Sequence, residues 1–153
     1  MTLAAQVLAV ANPELKVPSS VRSVGYEPAV VRAGPGEAIG SASARAVHAL
    51  MRTVGEGTIG VLCPEALVDT VKRALVEAGL PVEASVDRGI SVLGVSGAKG
   101  LEFDGVVVVE PAAVVGTAGP RGLRALYVAM TRPTKALTLV HTLPLPDCLS
   151  AAA

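Results

Sequence analysis

Apolar positions change rhythm along this chain, and the changes mark its elements. Across residues 37–54 they return at Ile39, Ala42, Ala46, Val47, Leu50, Met51 and Val54, a single helical stripe that Gly55 and Gly57 bring to an end. Residues 58–63 form a short apolar run that reads as a strand, and Pro64 follows where a helix accepts proline best, in its first turn. The helix it opens runs to about Ala78. Leu67, Val68, Val71, Leu75 and Val76 take one side, Asp69, Lys72, Arg73 and Glu77 form a solvated face, and Gly79 is the stop. Residues 82–85 and 90–95 are β candidates on either side of the polar turn Val86-Asp87-Arg88-Gly89. Four valines at 106–109, with no polar alternation, predict a central strand buried on both faces, as parallel sheets require, and Pro111 closes it. Leu123, Leu126, Tyr127 and Met130 then repeat at helical spacing, and residues 136–141 return as a last strand.

The first third is less regular. Residues 2–11 read as the end of a helix stopped by Asn12-Pro13, since proline turns its predecessor away from helical dihedrals. Gly25, Pro28, Gly34 and Pro35 break residues 18–36 and leave room for short β runs at 21–24 and 29–33, an edge hairpin or loop. Strands alternating with helices predict an α/β fold: an open, mainly parallel sheet with right-handed crossovers and helices on both faces. At 153 residues the chain suits a single domain. Residues 1–57 supply an N-terminal helix, edge segment and helix, and 58–143 the α/β core.

Charge and composition narrow the chemistry. Thirteen Lys and Arg balance thirteen Asp and Glu, so any contact with nucleic acid has to be local. Aromatics are only 2% of residues, too few for a base-stacking platform. Cys63 and Cys148 lack metal-ligand spacing, no metal site is expected, and Cys63 reads as a small core thiol. Neither a basic leader nor an apolar run of roughly 18 residues is present, so the expectation is a soluble, cytoplasmic protein with no membrane partner.

Two segments carry candidate chemistry. In Ala98-Lys99-Gly100-Leu101-Glu102-Phe103-Asp104, Gly97 and Gly100 permit a tight turn from which Lys99 projects, and such a turn can approach a phosphate. Glu102 lies between Leu101 and Phe103, which anchor it in the core at the mouth of the next strand, the kind of edge where α/β proteins hold nucleotides. A carboxylate there can accept from a ribose hydroxyl or order a water; the same spacing also fits a capping or surface Glu. In Leu126-Tyr127-Val128-Ala129-Met130-Thr131-Arg132, Pro133 turns Arg132 away from helical dihedrals, so its guanidinium can reach past the helix end rather than cap its own carbonyls. That fork of donors suits a phosphate, including charge developing on a transferring γ-phosphoryl group; the helix macrodipole alone would also favour an Arg there. Arg121 and Arg124 read as a solvated face, Ser96 and Thr131 as small turn hydroxyls, and His48 and His141 as structural.

Together, in this order, the two segments resemble motifs V and VI of the UvrD/Rep-like superfamily 1 helicases, and the chain resembles their second, C-terminal RecA-like domain, especially the HelD-like branch that associates with bacterial RNA polymerase. The resemblance extends over about 58–141. It implies a RecA-like sheet, with Glu102 on the nucleotide sugar and Arg132 as the arginine finger on the γ-phosphate. Gly100 and Glu102 would help form the nucleotide-binding edge, and Ser96 and Lys99 would face the nucleic-acid strand. ATP and Mg²⁺ are implied for the whole motor, with nucleic acid (DNA before RNA), the first RecA-like domain and RNA polymerase as partners. The pattern departs at Gly94-Val95-Ser96-Gly97, where the family usually carries a Thr and a His, and at Pro133, where a small residue is usual. No phosphate-cradling Gly-x-x-x-x-Gly-Lys-Ser/Thr, no strand-closing Asp-Glu pair and no Tyr-Arg motif IV is present. The chain alone is therefore expected neither to hydrolyse ATP nor to hold a cofactor tightly, and to act as the second half of a motor. The alternatives are a stand-alone, non-enzymatic RecA-like binding module and, from fold analogy alone, a flavodoxin-like small-molecule binder.

Overall fold

The valine run at 106–109 is the middle of a strand with no solvent face. In the computed structural model, which describes residues 7, 10, 28–116 and 119–152, β4 (Phe103–Val109) lies third in a five-stranded sheet. Its companions are β1 (Ala29–Arg32), β2 (Ile59–Cys63), β3 (Ile90–Gly94) and β5 (Pro133–His141), in the order β1-β5-β4-β2-β3. Every pairing is parallel, with Val107 opposite both Val61 and Thr138. Side chains alternate along β4: Val107 and Val109 enter one core layer with Val47, Leu50, Val71 and Leu75, and Val106 and Val108 enter the other with Leu126, Ala129, Leu137 and Leu139.

Helices cover both faces. α1 (Ile39–Val54) and α2 (Val68–Glu77) build the first layer, and α4 (Pro120–Met130) builds the second, after the short α3 (Pro111–Val115). From β2 the chain steps outward through α2 to β3, and from β4 it steps the opposite way through α3 and α4 to β5. Right-handed crossovers in opposite directions place their helices on opposite faces. The reversal falls between β2 and β4, and at their carboxyl ends it leaves the crevice in which open α/β sheets hold ligands.

The expected α/β fold is present, with several differences in detail. Residues 82–85 form no strand; Val82 makes an isolated bridge to Ile90, and Glu83 N–H donates to the Ile90 carbonyl. β5 begins at Pro133 rather than 136, because a first strand residue needs no donor on its outer side. Pro64 opens a 3-10 turn, Glu65–Leu67, ahead of α2 rather than the α-helix itself. Val76, assigned to the apolar side, is 57% exposed. The edge segment is a strand paired in parallel with β5. The reading for 2–11 lies outside the described residues except at Val7 and Val10, both helical, and that for 21–24 lies wholly outside them.

Polar groups fasten both ends of β4. At its start Asp104 Oδ2 accepts from Thr58 N–H (2.8 Å) and the Thr58 hydroxyl (3.3 Å), and Asp104 N–H donates to that hydroxyl. The Thr58 backbone donor, helped by Lys135 3.5 Å away, holds the Asp104 carboxyl below its ordinary range. At its finish Glu110 is buried with a left-handed φ of 50° and accepts from the backbone N–H groups of Thr142 (2.6 Å) and Leu143 (3.2 Å) and from the Thr142 hydroxyl. Left-handed backbone is costly for a residue with a Cβ, and this clasp over-determines it.

A carboxyl held low in the folded state stabilises it at pH values above the unfolded pKa, and that contribution disappears as pH falls through the folded value. Asp104→Asn should therefore cost about 1 kcal/mol at pH 7. The difference from the parent should begin to shrink below about pH 4, where the unfolded chain's carboxyl takes up its proton, and go on shrinking as pH falls toward the lowered folded value. Urea denaturation at pH 7 and pH 3.5 reads both.

Candidate functional site

Chemistry is confined to the two edges of the sheet, because β2, β4 and most of β5 are buried along their length. At the amino edge, Ala98-Lys99-Gly100-Leu101 forms a type II turn, with Lys99 at φ −59°, ψ 125°, Gly100 at φ 81°, and Leu101 N–H donating to the Ala98 carbonyl (3.0 Å). Only glycine takes the third position of such a turn without strain. The turn delivers Glu102, exposed, to the start of β4, and buried Phe103 anchors it there. Phe103 N–H donates to the Arg132 carbonyl (3.1 Å), and this bond sets Glu102 and Arg132 side by side at the amino ends of β4 and β5.

Two sequence expectations need correcting here. Arg132 was expected to reach beyond its helix without capping it; instead Nε donates to the Val128 carbonyl (3.1 Å) of α4 itself. Nη1 donates to the Leu101 carbonyl (3.4 Å) and Nη2 to the Thr131 hydroxyl (3.4 Å). The backbone turns out of the helix as Pro133 demands, but the side chain folds back, because the last turn of α4 offers carbonyls without partners. The edge also differs from the one in which α/β sheets hold ligands: Glu102 and Arg132 sit at the amino ends, opposite the crevice. Among the described residues Arg132 has no acidic partner and Glu102 has no bonded one. The half-buried guanidinium thus keeps an uncompensated positive charge among neutral acceptors.

Ser96 and Lys99 lie on the other side of the same connection. They line a cleft of about 630 Å³ at the carboxyl ends of β2 and β3, under α3 and α4, at the reversal of the sheet. Val95–Ala98 is a 3-10 turn, and its Ser96 gives both backbone N–H (3.4 Å) and hydroxyl to Glu65 Oε1. Glu65 lies flat against Gly94, where any Cβ would run into its carboxylate. Cys63 ends β2 in the cleft, buried, with its thiol pushed up to about 12 by desolvation and then by Glu65. The structure therefore places Gly100, Glu102 and Arg132 at the amino edge and Ser96 at the carboxyl edge, while Lys99, in the turn beside Gly100, lines the cleft with Ser96. Glu65 escaped the sequence reading; Arg124 is exposed, as its placement on a solvated face expected, and both line the cleft. Glu65's position just past a buried strand was the available signal. Among the described residues no His, Cys, Asp and Glu group could hold a metal ion, and no helix is long and apolar enough to cross a membrane.

Residues 89–140 match the UvrD-like helicase C-terminal domain family, a span that includes both charged segments. The C-terminal domain of a possible DNA helicase from Lactobacillus plantarum WCFS1 has a similar fold, with a TM-score of 0.65 at 22% identity over 95% of this chain and 89% of that one. The PRRSV nsp10 helicase aligns with 94% of this chain and 28% of its own, at 16% identity and a TM-score of 0.41. No curated protein sequence matches the chain. The sheet is the RecA-like class expected for a helicase C-terminal domain.

Gly100→Ala forces a Cβ into the left-handed position of the turn that carries Glu102. It should lower stability by about 1–3 kcal/mol in thermal unfolding, whereas Gly97→Ala, at a glycine without positive φ and with open space around its Cβ position, should change it far less.

Proposed function

We propose that this domain is the second motor domain of an ATP-dependent superfamily 1 helicase or translocase, and that its amino edge completes an ATP site whose phosphate cradle belongs to another domain. The observation that carries the reading is Arg132: a half-buried cation with neutral acceptors, tied next to Glu102 by the Phe103–Arg132 backbone bond. The donor set fits the outer part of a nucleotide. Glu102 accepts from the sugar hydroxyls, the open backbone at Gly100 lets the ligand approach, and the Arg132 fork exchanges the Val128 and Leu101 carbonyls for phosphate oxygens. Magnesium, where bound, neutralises charge on the transferring phosphate; its ligands are supplied with the phosphate cradle.

A guanidinium aimed at developing charge raises turnover more than ground-state affinity. Folding back on α4 keeps that charge in reserve until a nucleotide outbids the carbonyls, and closure of the two domains is the natural moment for the exchange. On the cleft side of the turn Lys99 meets the phosphates of a nucleic-acid strand, DNA before RNA, and the same turn ends at Leu101, whose carbonyl accepts from Arg132. Within this reading we place the chain nearest the HelD-like branch, with RNA polymerase as partner. Support comes from Gly94-Val95-Ser96-Gly97, where the Ser96 hydroxyl is committed to Glu65 rather than directed at a strand.

Arg132→Ala, introduced into the polypeptide or complex that also carries the phosphate cradle, should lower ATP turnover by roughly 10³- to 10⁵-fold while changing nucleotide affinity far less. Turnover retained within tenfold would overturn the assignment. Co-purification of the tagged protein with RNA polymerase tests the branch separately.

A further inference from the structure

The cleft at the carboxyl edge carries a charge pattern that a phosphate track does not explain. Its walls are aliphatic, from Pro64, Val95, Ala113, Val114, Ala125 and Val128. Lys99 and Arg124 contribute two cations, neither ion-paired among the described residues. Against them stands a carboxylate. Glu65 is held in place by both donors of Ser96 on Oε1, and its Oε2 accepts no hydrogen bond among the described residues. A bare strand phosphate would be repelled by Glu65, so a ligand matching the whole cleft needs an anionic end, a flat apolar body and an N–H donor edge.

We propose that this cleft holds one nucleotide whose base carries an exocyclic amino group, with the phosphate on Lys99 and Arg124, the base between the aliphatic walls, and the amino group donating to Glu65 Oε2. The proposal rests on the nucleic-acid-dependent reading above and deepens it by assigning base selectivity to Glu65. The volume falls within the range of small-ligand sites, and the position is the reversal point where open sheets bind ligands. Carboxylates accept from the cytosine N4 amino group. Thymine and uracil present a carbonyl at the equivalent position, which faces the carboxylate lone pairs unfavourably. Gly94 is part of the device, because its missing Cβ is what lets Glu65 lie across the end of β3.

The nucleotide can belong to a strand or be free, and the test separates the two. Fluorescence anisotropy with the full chain at low salt compares short, labelled oligo-deoxycytidylate with oligo-deoxythymidylate, and calorimetry compares dCMP with dTMP. A preference for cytosine of about tenfold is expected, with Lys99→Ala and Arg124→Ala weakening both bases alike. Glu65→Gln is the decisive variant. Ser96 N–H keeps the amide oxygen at the Oε1 position, so the amide nitrogen replaces Oε2 as a donor, and selectivity should vanish or turn toward thymine. Preference in the oligonucleotides places the site on a strand, and preference in the mononucleotides alone places it on a free nucleotide. Equal binding of both bases, unchanged by Glu65→Gln, overturns base readout and leaves strand binding standing. No binding of any of the four probes overturns the site, while the Arg132 turnover measurement judges the motor reading independently.

Discussion

β4 has both of its faces covered, and that constraint governs the rest of the molecule. A strand whose valines enter two different core layers cannot carry a polar side chain between its ends, so every functional group must gather at an edge. The strand's own polar needs are met there too. Asp104 is satisfied by Thr58 where β4 enters the sheet, and Glu110 is satisfied by Thr142 and Leu143 where it leaves. Parallel neighbours cannot be joined by tight hairpins, so the returns after β1, β2 and β4 run through helices, and these helices seal the faces that the valines require.

The two edges are joined by one short stretch of chain. Residues 95–102 leave the carboxyl end of β3, pass under α4 through Val95 and Ala98, and arrive at the amino end of β4. One end of this stretch is bonded to Glu65 through Ser96, and the other receives the Arg132 guanidinium on the Leu101 carbonyl. The link has few joints, since a 3-10 turn and a type II turn account for most of it.

The architecture was legible where burial alone decides conformation. The valine run, the stripe of α1 and the glycine stop at Gly55 translate directly, because each reflects a period or a dihedral that few residues can supply. Reading failed where long-range partners decide. Asp104 and Gly105 look like loop residues, yet Thr58, distant in sequence, draws them into β4. Residues 82–85 have strand composition but find no ladder beyond one bridge. The charged residues themselves were visible, but not their groupings: a local sequence does not reveal that the Phe103–Arg132 bond sets Glu102 beside Arg132, or that Lys99 lines a cleft with Glu65. Arg132 folding back on Val128 also depends on which carbonyls the finished fold leaves unpaired.

β1 finds its partner last. Ala29 pairs with Thr138 and Arg32 with His141, so about 110 residues separate the strand from the one that receives it. During synthesis at 5–20 residues per second, β1 waits roughly 5 to 20 s for β5 to be made. A waiting strand is a template for the wrong neighbour, and the hazard grows with length and apolarity. Here it is four residues long, with Ala29 and Arg32 exposed even in the finished sheet and only Val30 and Val31 half-buried. The strand compelled to wait longest is also the one least able to recruit a stranger.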